Sequence, residues 1–171
     1  MPNYSRLIAG SQVTWKPSGG TKVLTFTSLA SAAARQGDKS GTLVDGTYGR
    51  PQYLEFRLES AVAVAAATGA TIDLFLGESD NATAASDNPG NLTGADGSWA
   101  TPAELFSQLR YVGSLVLSAT QATSVQKVRL IYPSPLCAYI CPVIFNQSGQ
   151  ALHGTAGNHQ LVMTPYYREI G

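Results

Sequence analysis

Tyr53-Leu54-Glu55-Phe56-Arg57-Leu58-Glu59 alternates apolar and charged side chains without a break. Successive side chains of a strand point to opposite faces, so Leu54, Phe56 and Leu58 share one face, and Glu55, Arg57 and Glu59 the other. Such a strand belongs to an antiparallel sheet with one dry and one wet side. Working outward, Thr71-Ile72-Asp73-Leu74-Phe75-Leu76 directs Ile72, Leu74 and Leu76 inward. Lys127-Val128-Arg129-Leu130-Ile131-Tyr132 does the same with Val128, Leu130 and Tyr132. Runs of strand-forming residues at 12–15, 22–27, 111–117, 139–146 and 160–164 raise the total to about eight strands. Turn clusters such as Pro17-Ser18-Gly19-Gly20 and Asn146-Gln147-Ser148-Gly149 separate them. Many short strands joined this way predict an all-β fold, an antiparallel β-sandwich of jelly-roll type.

Some segments depart from the alternation. The Ala-rich stretch 28–36 ends at Gly37 and fits either a short helix stopped by glycine or, the favoured reading, extended structure. Thr101-Pro102-Ala103-Glu104 has a capping hydroxyl, a first-turn Pro and a Glu three residues after the cap, which predicts one short helix near 102–108. Residues 78–100 show no period and are rich in Ser, Asn, Asp and Gly; a loop this long is the candidate contact loop. Residues 1–10 read as an N-terminal arm and 11–171 as a single sandwich domain. The arm is expected to order where Tyr4, Leu7 and Ile8 are buried against a neighbouring subunit.

Composition narrows the function classes. Charged residues are 13% of 171, with 11 basic and 11 acidic, so the formal net charge is zero. A neutral, charge-poor surface offers little self-repulsion and suits a protein covered by partners. Nucleic acid is not an expected partner, because its binding rests on Lys and Arg. No apolar run approaches the ~20 residues that span a bilayer, so no membrane association is expected. The first ten residues do not read as a secretory signal.

The two histidines, His153 and His159, stand near no nucleophile-elbow sequence and lack a third metal ligand, so they read as loop residues. Glu78, Asp80, Asp87 and Asp96 do not follow the spacing of a calcium loop. Gly19-Gly20 lacks the Lys-Ser/Thr ending of a phosphate-binding loop. Cys137 and Cys141, four apart and followed by Pro142, read as free, partly buried thiols; in extended chain their Cα atoms lie ~13 Å apart, beyond disulfide reach. The expectation is a protein without enzymatic activity, cofactor or metal. Trp15 is expected in the core, whereas Trp99, in the long loop, is a candidate partner contact by stacking.

Asn88-Pro89-Gly90-Asn91-Leu92-Thr93-Gly94-Ala95-Asp96 and Leu109-Arg110-Tyr111-Val112-Gly113-Ser114-Leu115 resemble small virion proteins of tailed bacteriophages. So do Pro142-Val143-Ile144-Phe145-Asn146-Gln147-Ser148-Gly149-Gln150-Ala151-Leu152, Asn158-His159 and Met163-Thr164-Pro165. The resemblance spans roughly residues 21–167 as a general pattern. It implies a jelly-roll β-domain in the virion, a capsid decoration (cement) protein bound over junctions of the major capsid protein, and a homo-oligomer, dimer or trimer. Alternatives are a tail, neck or baseplate component, or a carbohydrate-binding module at a host-recognition tip. The family carries no catalytic motif to transfer.

Overall fold

The computed structural model describes residues 5–99, 103, 107–120, 123–133 and 135–170. Among these, the alternating stretches become β5 (Tyr53–Ser60), β6 (Thr71–Ser79) and β9 (Gln126–Pro133). The remaining long strands are β8 (Arg110–Val116), β10 (Tyr139–Gln147) and β11 (Gln160–Ile170). Shorter ones are β1 (Ser5–Ala9), β2 (Val13–Lys16), β3 (Lys22–Val23), β4 (Ala34–Gln36) and β7 (Gly97–Trp99). The helix expected near 102–108 lies for the most part outside the described residues.

One sheet has the order β3-β2-β11-β5-β9, with β1 also on β11; the other has the order β7-β4-β10-β6-β8. Set β1, β3 and β7 aside, and the partners are β2 with β11, β4 with β10, β5 with β9, and β6 with β8. That is one long antiparallel ribbon wound so that β11 meets β5 and β10 meets β6. The chain is a jelly-roll β-sandwich.

The main core lies between the sheets. Leu54, Phe56 and Leu58 of β5 and Ile72, Leu74 and Leu76 of β6 are fully buried, with Trp15, Phe26, Ile140, Ile144 and Met163 among them. The outer face of the β10–β6 sheet is also covered. Phe75, Cys141, Val143 and Phe145 form a second cluster there with Leu92, Trp99 and Leu109 from the long connection. This explains why 140–145 reads as continuous apolar sequence: β10 is dry on both faces. Leu92 lies so close to the backbone of Gly77 that a Cβ there would stand 2.2 Å from its Cδ1.

The 28–36 stretch is extended in its last part only. Ser28 and Ala32 take positive φ and Ala34–Gln36 form β4. Beyond it, Gly37, Ser40 and Leu43 donate backbone bonds to Pro142, Ile140 and Ala138, so the segment follows β10 without forming a ladder.

Candidate interaction site

The N-terminal arm expected at 1–10 needs correction over its described part. Residues 5–9 are a strand of this chain's own sheet, with Ser5 opposite Ile170 and Ala9 opposite Tyr166. β1 and β2 lie along one side of β11, interrupted at residues 10–12; Pro165, which has no N–H to give, sits at that interruption. The strand expected at 160–164 continues to Ile170 because β1 is there to pair with it. An isolated N-terminal decapeptide gives no sign of a partner more than 150 residues away.

β5 ends its pairing with β11 at Tyr53–Tyr166, so Tyr167–Ile170 pair only with β1. The two chain ends thus form a two-stranded ribbon that runs past the sheet. Its root is fixed: Tyr53 and Tyr166 stack at 4.7 Å, and Tyr167 packs against Tyr48 and donates its O–H to the carbonyl of Leu43 at 3.1 Å. Beyond the root the contacts are at the surface, an Arg6–Glu169 ion pair and a bond from Arg168 Nε to Ser5 Oγ at 2.9 Å. Leu7 is 53% exposed and Ile170 69%, while Ile8 is half-buried. Tyr4 lies outside the described residues. A two-stranded ribbon is marginal by itself, and a third strand or an apolar partner surface would steady it.

Trp99 is the second correction. It is 5% exposed, opposite Ala34 in β7 and β4, inside the outer cluster. It cannot stack on a ligand from solution without opening that cluster. The long connection is likewise not a free contact loop, for it is fastened at several points. Asp96 accepts from Thr25 N at 2.7 Å and from Arg35 through both oxygens. Burial works to raise the Asp96 carboxyl, but Arg35 and the Thr25 amide outweigh it and hold it below its ordinary range. Gln36 accepts from Thr93 N, and Lys39 reaches the carbonyls of Asn81, Thr83 and Ser86.

Cys137 and Cys141 are free and buried, and burial pushes both thiols up to about 11, far from the thiolate form that reacts. Among the described residues no group of three His, Cys, Asp or Glu is placed to hold a metal. An open cleft of about 340 Å³ is lined by Glu78, Gln108 and Arg110, but Glu78 already accepts from Tyr132 at 2.8 Å and lies 3.7 Å from Arg110.

The sequence reading missed one pair. Ser60 Oγ and His159 Nδ1 are 2.9 Å apart and buried. His159 Nε2 lies 2.6 Å from the carbonyl of His153, which has no proton to give; the ring N–H is therefore at Nε2, and Nδ1 accepts from Ser60. Buried on all sides, the pair serves as a clamp between β5 and the connection before β11. Desolvation holds the His159 pKa below its ordinary value. In the unfolded chain the group titrates at about 6.5, so between the two values the unfolded state binds more protons. The clamp's contribution is therefore complete above about pH 6.5 and is lost as pH falls through the folded value. Thermal melts taken from about pH 7.5 to about pH 5 should show a falling midpoint, and His159→Gln should flatten that slope. An unchanged slope in the variant would assign the pH dependence to other groups.

No protein-family model matches the chain, and no curated protein does.

Proposed function

We propose that the chain is a virion structural protein of a tailed bacteriophage, a capsid decoration protein that binds over junctions of the major capsid protein and stabilises the head. Its localisation is then the virion, assembled in the bacterial cytoplasm. The observation that carries the reading is the exposed terminal ribbon on a jelly-roll body: an open β-edge with Leu7 and Ile170 outward is suited to strand or apolar contact with a neighbouring subunit. The residue patterns at 88–96, 109–115 and 142–152 support the same setting. A fold hosts many roles, so the weight rests on the ribbon rather than on the sandwich.

The test uses particles with and without the chain. Loss of the chain should lower the temperature at which DNA escapes, and its copy number should scale with the capsid lattice. Leu7→Asp should weaken rebinding to stripped particles by roughly tenfold, the usual effect of an unpaired charge at a buried contact. Equal heat stability, with the chain mapped to the tail, would overturn decoration in favour of a tail or neck role.

A further inference from the structure

The two ends of the sandwich differ in kind. At one end four connections meet: 27–33 before β4, 61–70 between β5 and β6, the described residues 117–120 and 123–125 between β8 and β9, and 148–159 between β10 and β11. Backbone bonds join them into one surface. Ser28 N reaches His153 O at 3.3 Å, Ala63 N reaches Ala151 O at 3.0 Å, and Thr123 N reaches Val62 O at 3.1 Å. None of the chain's 11 basic and 11 acidic residues falls in these connections. At the chain-wide 13%, about five of roughly 36 such positions would be charged, and exposed loops normally hold more than their share. The connections of the opposite end, by contrast, carry Asp38, Lys39, Asp45, Arg50, Asp80 and Asp87.

What this pole exposes is small and apolar or weakly polar: Ala30, Ala63, Ala65, Ala67 and Ala151, with Val64 at 57%. Charges resume one step up the strands, where Glu59 pairs with Lys127 at 3.2 Å and Lys16 ends β2. A charge-free centre with a charged rim is the anatomy of a protein contact.

We propose that this pole is where copies of the chain meet each other, pole to pole around a symmetry axis. The argument is one of charge. Across such an axis each group faces its own copy, so any charge near it meets a like charge. This pole avoids that penalty, whereas a partner recognised through ion pairs finds none to make here. Small side chains also lose almost no rotamer freedom when covered, and they let backbones approach closely. The inference goes beyond the capsid reading, because self-contact at this pole is independent of where in a particle the chain resides.

The experiment is sedimentation equilibrium of the full chain, with capsid binding measured separately. At about 100 µM, where a contact of standard size is well populated, the wild type should be oligomeric, and roughly tenfold more salt should leave the association unchanged. Val64→Lys and Ala151→Glu should each weaken it by tenfold or more, with melting temperature preserved because both positions are exposed. Leu136→Lys, at the opposite end, should change nothing. A monomeric wild type, association that survives Val64→Lys and Ala151→Glu, or loss with Leu136→Lys would overturn the proposal. So would a monomer whose pole variants lose only capsid binding, since the pole would then face another protein. Failure of capsid binding alone would count against the decoration reading and leave this one standing.

Discussion

Replacing Lys39 by Met should lower stability by about 3–5 kcal/mol, more than an ordinary surface lysine could contribute. Lys39 is 4% exposed, and among the described residues its ammonium makes no ion pair with a carboxylate. Nζ instead lies 2.9 Å from each of Ser79 Oγ and the carbonyls of Asn81, Thr83 and Ser86. Three N–H groups thus serve four neutral oxygens, in the way a bound cation would. The backbone N–H of the same residue reaches Gly94 O at 2.8 Å, so Lys39 holds both limbs of the long connection. Met has nearly the same length and none of the donors. It would leave several buried acceptors unsatisfied, at about 1–3 kcal/mol each, offset where the loop opens to water. For a chain of this size the midpoint of thermal unfolding should fall by roughly 10 °C. Lys39→Arg should fail to rescue, because a planar guanidinium cannot direct its donors to a cluster shaped around a point charge. A Lys39→Met midpoint within about 2 °C of wild type would show that the cage is incidental. Proteolysis confined to residues 79–96, with an unchanged global midpoint, would show that it holds the loop alone.

That cage also marks where reading the sequence stops. The alternation of 53–59, 71–76 and 127–132 is a local signal, and each stretch became a strand with its alternate apolar members inward, while Phe75 and Ile131 face the other way, because a two-residue period suits only one secondary structure. The sandwich class followed from the number of strands and the turns between them, whereas the partner of each strand did not. Nothing local shows that Lys39 will meet Ser79, or that Ser60 will meet His159 from 99 positions away; winding the ribbon creates those neighbours. The same limit governs the second face of β10. Its unbroken run from Ile140 to Phe145 holds the signal that both faces are dry, but the covering comes from Leu92, Trp99 and Leu109, which form no period among themselves. A connection that packs through Leu92, Trp99 and Leu109 looks like a polar loop, because three anchors scattered among Ser, Asn and Gly make no pattern. The candidate site was legible in part. Leu7 and Ile8 do lie at the surface ribbon, though as a strand of their own sheet rather than a loose arm.

Trp99→Ala should therefore act on folding, not on recognition. The indole fills the outer cluster between Ala34 and Gly90, where a Cβ on the glycine would stand 3.5 Å from its Cζ2, and it shares that cluster with Phe75, Val143 and Phe145. Truncation to Ala removes a large buried ring and leaves a cavity that Gly97 and Gly90, lacking side chains, cannot fill. The expected cost is about 3–5 kcal/mol, the range for buried Trp to Ala. It should couple to the cost of Lys39→Met, since both residues hold the same connection against the same sheet, so the double variant should lose less than the sum. Wild-type fluorescence should be blue-shifted and resistant to an aqueous quencher, because Trp15 is buried as well. Trp99→Phe should recover most of the stability, since an aromatic ring still fills the cluster. A Trp99→Ala variant that melts with the wild type while losing affinity for a glycan would reverse the assignment and return Trp99 to a binding surface.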